Sequence, residues 1–489
     1  MRLHGIKDYL DMVEILENYP AIRQTFNLVP SMLEQIEDYC GGRVKDSYLE
    51  LSRKPARELT GADKNFILQN FFSINTETVI SLFPRYYELY FKKGNAKEFN
   101  TQDYLDLVAW FNLAWFDPDL RERIPELKRL VEKGRFFSEE EKLSVLDIQL
   151  GTLKEIIPAY RKIQERGQIE ITTTPFYHPI LPLLYSTKIA KEANPKTILP
   201  KIEFAYPQDA KEQITLAVEL HKSLFARAPG GMWPSEESVS EHILPFIINA
   251  GINWIVADEA ILFKSLKKKR REASLIYQPH LLKREEGNLN IVFRDRNLSD
   301  LIGFVYHRLT AADAVADFLG HLKIIADTFV DKDILVTVAM DGENAWEYYP
   351  RDGHDFLELL YRKLSESPFL ETSTVSEYLK THPPRNEIKR LSAGSWIYGN
   401  FSKWIGSPKK VKAWEWLALA RKELASTEHR TLNTELAYKQ MYILEGSDWF
   451  WWAGEDPDGS FDRLFRMHLT NFYTLLGKDI PEYLNKPLS

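Results

Sequence analysis

Two acidic residues, Glu236 in GMWPSEES and Asp341 in VTVAMDGENAWE, each follow an apolar, strand-like run. The run LVTVAM, which ends at Met340, is typical of a buried strand in a parallel sheet. In barrel enzymes, residues just past the carboxyl ends of such strands meet at one mouth. A pair of carboxyl groups there can split a glycosidic bond, because one protonates the leaving oxygen while the other attacks the anomeric carbon or activates water. Carboxylate-pair chemistry is therefore the leading hypothesis.

Each acid also has a purely structural explanation. Glu236 directly precedes a predicted helix, Ser238 to Ala250, where the helix dipole favours an acid. Asp341 is followed by Gly342, and Asp-Gly is a common turn with solvated side chains. Glu343 comes two positions later, and repulsion between neighbouring carboxylates raises one pKa, as a proton donor requires. The apolar run before Asp341 favours the functional explanation.

The order of the predicted elements favours an α/β fold. An amphipathic helix from Lys7 to Asn18 opens the chain, the strand-like TFNLVPSML follows, and mostly helical sequence continues to about residue 166. From Gln168 onward the strand-like runs IEITTTP, GGMWP, NWIVAD, NIVFRD and DILVTVAMD alternate with helices. Helices are predicted over 210–225, 238–250, 311–329 and 354–365. This alternation is the signature of a parallel sheet, and a distorted or incomplete barrel fits the count.

The last part of the chain has a different pattern. VKAWEWLALARKEL, TELAYKQMYILEG and FDRLFRMHLTNFYTLLG carry apolar residues at a spacing of three to four, which predicts helices. We therefore expect a catalytic barrel domain over 1–380 and a C-terminal helical domain over 381–489. The aromatic loop GSWIYGNFSKWIG falls near this boundary. Of the tryptophans farther along, some fit the core of the helical domain and one or two could extend a sugar-binding groove: Trp414, Trp416, Trp449, Trp451 and Trp452.

Composition and charge narrow the function classes. The 489 residues include 63 basic and 70 acidic ones, for a net charge of -7, which gives no general attraction for nucleic acid or anionic membrane. The single cysteine, Cys40, excludes an intrachain disulfide and a cysteine metal cluster. No signal-peptide-like start and no long apolar stretch occur. We expect a cytoplasmic protein whose substrate is neutral or small.

Four segments carry a resemblance to a known family. GQIEITTTPFYHP, GMWPSEESVS, VAMDGENAWE and GSWIYGNFSKWIG resemble, in order, four of the five sequence regions typical of glycoside hydrolase family 57. The ending EGSDWFWWAGEDPDGSFDRLFRMHL is similar to the amylase and amylopullulanase-like members. The resemblance implies an incomplete (β/α)7 barrel with a helical domain. It also implies retaining chemistry on α-glucans or maltooligosaccharides without a metal or organic cofactor.

The same resemblance assigns roles to individual residues. It makes Glu236 the nucleophile and Asp341 the general acid/base. It also implies these substrate contacts: Glu170, His178, Trp233, Glu343, Trp346, Trp396 and Trp404. Beyond the motifs, Asp258 ends the run WIVAD, and Arg294 and Asp295 end NIVFRD, so these three either bind sugar hydroxyls or form salt bridges.

One region of the family pattern has no counterpart. The first region, a strand leading to a loop with a His-Gln-Pro signature, is not found, and MRLHGIKDYL resembles the stretch that follows it. We therefore expect an open seam in the barrel and slow turnover. Three functions remain. The first is a retaining α-glucan hydrolase or glucanotransferase that acts on α-1,4 linkages, and the second is a glucan-binding protein with weak or no catalysis. The third and least supported is a metal-dependent deacetylase-like barrel, for which no HxxxH pair is present. The sequence predicts no oligomeric state.

Overall fold

The computed structural model describes residues 1–330, 332–343, 345–425 and 432–488. Its seven strands are β1 Gln24–Asn27, β2 Ile169–Thr172, β3 Gly231–Met232, β4 Trp254–Asp258, β5 His280–Arg284, β6 Gly287–Arg294 and β7 Asn386–Glu387. The runs predicted around β2, β3, β4 and β6 are confirmed as strands. All five residues of β4 are buried, which explains its uninterrupted apolar sequence.

The parallel strands succeed each other across the molecule. β1 pairs with β2, and β3, β4 and β6 form a second parallel set. A single bridge between Thr173 and Met232 joins β2 to β3. β5 pairs antiparallel with β6 and parallel with β7. The order β1, β2, β3, β4, β6 follows the chain, as expected for successive βα units.

The predicted strand before Asp341 is only partly formed. Residues 334–340 are half-buried, and one bridge, between Thr337 and Arg294, joins them to the carboxyl end of β6. The amide of Asp295 donates to the Thr337 carbonyl at 2.8 Å. Among the described residues no strand pairs with the other side of this segment. The prediction of a buried strand was therefore wrong here, because the segment lies at an edge.

Helices surround the strands. The first helical stretch runs from Arg2 to Asn18, with a π-helical turn over Gly5–Tyr9. The helices before β2 are Pro30–Cys40, Ser47–Arg53, Gly61–Asn70, Pro84–Lys92, Thr101–Ala114, Pro118–Arg123, Pro125–Lys133 and Glu139–Glu165. Those between β2 and β7 are Leu181–Tyr185, Ala190–Ala193, Pro207–Phe225, Leu244–Asn249, Glu259–Ser265, Ala273–Ile276, Arg296–Phe304, Ala311–Thr328, His354–Ser365 and Val375–Thr381. The last four are Pro408–Ala425, Leu432–Leu444, Ser447–Trp452 and Ser460–Leu475.

These helices confirm most of the predicted pattern. The correction concerns 238–250, where the α-helix begins only at Leu244. The apolar core has two main parts, one formed by the N-terminal helices with residues 298–361, the other by residues 180–293 with the C-terminal helices. No helix in the described ranges has the length and apolar character needed to cross a membrane. The boundary near residue 380 stays a prediction.

Close packing between β3 and β4 gives a first test. A Cβ on Gly231 would lie 2.1 Å from the Trp254 ring, so Gly231→Ala should lower the free energy of unfolding by about 1–3 kcal/mol through overpacking. Gly151 lies within Glu139–Glu165 with no atom within 4 Å of an added Cβ. Gly151→Ala, the control, should stabilise by about 0.5–1 kcal/mol. Urea unfolding measures both, and wild-type stability of Gly231→Ala would contradict the packing.

Candidate active site

Glu236 stands on a strained turn directly after β3. Residues Ser235–Glu237 form one turn of 3-10 helix in which Glu236 and Glu237 both have positive φ, 57° and 49°. The left-handed conformation costs a non-glycine residue about 1–2 kcal/mol. Hydrogen bonds hold the turn: the Trp396 amide donates to the Glu236 carbonyl at 3.2 Å, and the Glu237 amide donates to the Pro234 carbonyl at 2.7 Å. Such strain is typical of functional sites.

The Glu236 side chain is half-buried, accepts one hydrogen bond and lies near other carboxylates. The indole Nε1 of Trp396 donates to Glu236 Oε2 at 2.7 Å. Burial, and then the charge of Asp341, raise the pKa of Glu236 to about 8, with further contributions from Asp448 and Glu343, while the Trp396 hydrogen bond lowers it. Removal from water and repulsion therefore outweigh the one bond that favours the ionised form.

Glu236, Asp341, Glu343 and Asp448 form what we term the acidic cluster. Asp341 and Asp448 are exposed and Glu343 is half-buried. The Tyr9 hydroxyl donates to Glu343 Oε2 at 3.2 Å. Burial and the Glu343 charge raise the pKa of Asp448. Repulsion between neighbouring carboxyl groups raises the pKa of one relative to another, which is how an acid and a base can stand side by side.

Aromatic rings lie beside the cluster. Trp233 and Trp396, both half-exposed, meet edge to face with centroids 5.5 Å apart. The Arg294 guanidinium lies 5.1 Å from the centre of the Trp396 ring. Tyr398, two residues after Trp396 in sequence, is 78% exposed and has a left-handed backbone, with φ 57°. Open ring faces next to carboxylates suit the apolar faces and hydroxyl edges of sugars.

His178 links the loop after β2 to the C-terminal helices. Its Nδ1 is hydrogen-bonded to Ser447 Oγ at 2.9 Å, and the Ser447 amide donates to the His178 carbonyl at 3.1 Å. Burial lowers the pKa of His178 to about 4, so the ring is neutral at pH 7. Ser447 begins the helix that carries Asp448 in its first turn. His178 thus fixes one member of the cluster.

The polar residues at the ends of β4 and β6 form salt bridges, the alternative left open by the sequence. Asp258 is fully buried and accepts from Arg296 Nε at 3.2 Å and from Arg294 Nη1 at 3.5 Å. Asp295 accepts from Arg271 at 2.8 Å and from the Tyr277 hydroxyl at 2.7 Å. These contacts occupy both carboxylates. Of the three predicted contacts, only Arg294 reaches the site, beneath Trp396.

Three of the expected substrate contacts are buried or bonded to other residues in the described structure. Glu170 accepts from the Ser376 amide at 2.9 Å and the Trp254 indole at 3.0 Å, toward the amino ends of the strands. Trp346 is 8% exposed, and its ring packs against neighbouring aromatic residues. Trp404 is completely buried. The role of these three residues as substrate contacts stays a prediction.

Sequence reasoning overlooked two acids. Glu237 is fully buried, and neither carboxylate oxygen has a hydrogen-bond partner among the described residues. Burial raises its pKa, against the opposing effect of Arg294. Asp448 lies in the helical part, within the ending EGSDWFWWAGEDPDGSFDRLFRMHL but outside the four ordered segments. Its signal was an acid inside the aromatic run SDWFWW.

Comparisons with known proteins agree on one family. The sequence profile described as "Glycosyl hydrolase family 57" matches residues 1–390. Alpha-amylase 1 of Dictyoglomus thermophilum is 25% identical over 256 residues, which are 51% of this chain and 32% of that protein. The chain therefore spans about a third of the length of this curated relative.

Solved structures share the fold. A GH57-type branching enzyme from Pyrococcus horikoshii has a TM-score of 0.61 at 15% identity, over 99% of this chain and 88% of that one. The alpha-amylase AmyC from Thermotoga maritima has a TM-score of 0.56 at 14% identity, over 97% of this chain and 88% of that one. At such identities the likeness shows the fold, an α/β architecture with much helix.

The raised pKa of Glu236 gives a stability test. The folded pKa of about 8 lies above the unfolded value near 4.3, so wild-type stability falls as pH rises through this window. Glu236→Gln removes that titration. Its melting temperature relative to wild type should climb between pH 5 and 8 and level off above.

The control is Glu17→Gln, because Lys162 lowers the pKa of Glu17. Its melting difference from wild type should stay constant between pH 5 and 8. Scanning calorimetry at four pH values compares the two, and a pH-independent difference for Glu236→Gln would show that the pKa of Glu236 is not raised.

Proposed function

Because the chain belongs to glycosyl hydrolase family 57, we propose that it is a retaining enzyme that cleaves or transfers α-glucan chains at the acidic cluster. The observation that carries this proposal is the placement of Glu236 on a strained turn, bonded to Trp396 and coupled to Asp341. We further propose that the parallel strands belong to an incomplete (β/α)7 barrel, with residues 334–340 contributing its last strand.

The proposed reaction is a double displacement. Glu236 attacks the anomeric carbon and forms a glycosyl-enzyme while Asp341 protonates the leaving oxygen. Asp341 then takes a proton from water, or from an acceptor sugar, which releases the glycosyl group with net retention. Its position on an exposed loop suits a group that must serve both steps. Transfer rather than hydrolysis requires only that a sugar hydroxyl reaches the intermediate before water does.

The charge state of Glu236 sets a condition on this mechanism. A nucleophile must be ionised, yet burial and the charge of Asp341 raise the pKa of Glu236 to about 8. The Trp396 indole donates to the carboxylate and so stabilises the ionised form. We assign the nucleophile to Glu236 on this contact and on the family motif. The assignment also requires that the ionised fraction, and hence kcat/KM, rises toward pH 8.

The substrate is proposed from the surface around the acids. The rings of Trp233, Trp396 and Tyr398 are exposed or half-exposed. Among the described residues, one cation, Arg294, contacts one of these rings. Neutral sugar rings fit such a surface better than anionic ligands do. The named relatives include an alpha-amylase, which supports α-1,4 linkages as the first to be tested.

A second candidate is a glucan-binding protein with weak turnover. The observation in its favour is the edge position of residues 334–340, which precede Asp341 and form a single β-bridge, to the end of β6. A 1 Å misplacement of a catalytic group can cost about a hundredfold in rate. Binding to amylose without detectable products from maltoheptaose would favour this candidate. Longer and shorter oligosaccharides together would indicate transfer, and only shorter ones hydrolysis.

Azide rescue tests the two carboxylate roles. In Glu236→Ala, azide should replace the nucleophile and convert an aryl α-maltoside into β-maltosyl azide. In Asp341→Ala, the glycosyl-enzyme still forms from the activated substrate, so azide should give α-maltosyl azide. Turnover of unactivated maltoheptaose by Asp341→Ala should fall by about 10²–10⁴-fold. Proton NMR distinguishes the two azide products. If Glu236→Ala gave the α product and Asp341→Ala the β product, the two roles would be exchanged. Wild-type turnover in both variants would exclude Glu236 and Asp341 as the catalytic pair.

A pH profile tests the Trp396 contact. Trp396→Phe keeps a ring but removes the indole donor, so the pKa of Glu236 should rise further. The ascending limb of kcat/KM against pH should then move to higher pH. Trp233→Phe, which leaves that hydrogen bond in place, is the control and should keep the limb where it is. An identical limb in Trp396→Phe and wild type would contradict the role of this bond.

A further inference from the structure

A second set of ionisable side chains lies behind the loop that carries Asp341. Asp11, Asp117 and His354 come from three distant parts of the sequence. Their carboxylate and imidazole ligand atoms all lie within 4.8 Å of one another. Asp117 and His354 are buried, and Asp11 is largely so. We propose that these three residues bind one divalent transition-metal ion, with Zn²⁺ as the probe.

The spacing of the ligand atoms fits a metal. His354 Nε2 lies 2.8 Å from Asp11 Oδ1 and 3.3 Å from Asp117 Oδ2. Zn²⁺ takes nitrogen and oxygen ligands at about 2.0–2.2 Å, which sets neighbouring ligand atoms roughly 2.9–3.4 Å apart in octahedral or tetrahedral geometry. One imidazole with two carboxylates is a donor set for Zn²⁺ or a similar first-row ion, whereas Ca²⁺ and Mg²⁺ prefer oxygen alone.

Two atoms of the set lie at ion-pair distance but make no well-formed hydrogen bond in the described structure. Asp117 divides its oxygens: Oδ1 accepts from the amides of Asp119 and Leu120 at the start of a helix, while Oδ2 faces His354. Asp117 Oδ2 and His354 Nε2 are buried without a well-formed hydrogen bond. Buried polar atoms in native proteins are nearly always satisfied. A shared metal ion would satisfy both at once.

The surroundings supply little compensating charge. Lys7 binds Asp8 at 2.6 Å and Asp352 at 2.9 Å, so its charge is committed elsewhere. Arg121 donates to the carbonyls of Ala114 and Phe116 and acts on Asp117 through its charge, without a hydrogen bond to that carboxylate. A singly charged imidazolium at His354 would balance one of the two carboxylates, Asp11 or Asp117. A divalent ion balances both.

The outer contacts of the imidazole also resemble a metal site. His354 Nδ1 lies 3.5 Å from Asp119 Oδ2. Histidine ligands commonly direct their second ring nitrogen at a carboxylate, which fixes the ring orientation and strengthens the ligand. The Asp119 side chain is 56% exposed, so the set lies close to a route from solvent. Water can complete the coordination there.

The position of this set gives it a structural consequence. His354 begins a helix immediately after Arg351, Asp352 and Gly353, all with positive φ. That turn ends the loop that starts at Asp341. Asp11 lies two residues after Tyr9, which donates to Glu343. A bound ion would therefore tie the loop to the N-terminal helix at the end opposite the acids, without touching substrate.

Metal binding can be measured without any activity assay. The chelator-treated full-length chain should bind one equivalent of Zn²⁺ by calorimetry and one equivalent of Co²⁺ with visible d–d absorption that Zn²⁺ displaces. Binding to the folded state alone should raise the melting temperature by about 3 °C at a hundredfold excess over Kd. A chain that binds neither ion at 100-fold excess over protein would overturn the proposal and leave His354 as an ion-pair partner.

Variants locate the site. Asp117→Asn and His354→Gln should abolish the Co²⁺ spectrum. Asp119→Asn, at an exposed position that tolerates substitution, should weaken Zn²⁺ binding by about 10–100-fold, which keeps the test decisive where the buried variants fail to fold. The control is His221→Gln, since His221 is a buried histidine bonded to two carbonyls. Unchanged affinity in Asp119→Asn and His354→Gln, or equal loss in His221→Gln, would refute the assignment.

Discussion

Repulsion among carboxylates at one end of the sheet is the constraint on which the surrounding structure depends. Burial, and then the charge of neighbouring members of the acidic cluster, raise the pKa of Glu236 and of Asp448, so each acid needs its own support. Glu236 has a left-handed turn and the Trp396 indole; Glu343 has the Tyr9 hydroxyl. These supports come from separate parts of the chain. Stability is given up here, as is usual where function needs unfavourable groups close together.

The sequence predicted most elements because their signals are local. The run WIVAD is apolar up to its final residue, Asp258, and forms a fully buried strand, while β2 and β6 are mostly buried. The run before Asp341 looks the same in sequence but forms one bridge only. Strand formation there depends on a neighbour on each side, which is a property of the tertiary structure. The left-handed turn at Glu236 was not predicted for a related reason. A hydrogen bond from Trp396, which is remote in sequence, helps to hold its conformation.

Motif position predicted which residues lie near the site, but not which way their side chains point. Trp396 and Trp404 belong to the same segment, yet Trp396 contacts Glu236 and Trp404 is completely buried. A loop has no regular side-chain period, so the sequence does not predict which of its aromatic residues are exposed and which are buried. Asp448 was overlooked because the aromatic run around it is also typical of a core helix. The hydrogen bond between Ser447 and His178 holds the start of this helix next to the loop after β2, a contact that the sequence does not reveal.

The site crosses the predicted domain boundary near residue 380. The segment containing Trp396 is bridged to the loop after β3 through Val239 and Gly394, and the start of the Asp448 helix is bridged through Pro179 and Gly446. Each bridge fastens a residue after 380 to the loop following a strand. The chain after residue 380 thus supplies Asp448, from a helix, and Trp396, from the segment before the helix Pro408–Ala425. The packing of this part of the chain is therefore a condition for the geometry of the acids, because its displacement would affect both contacts.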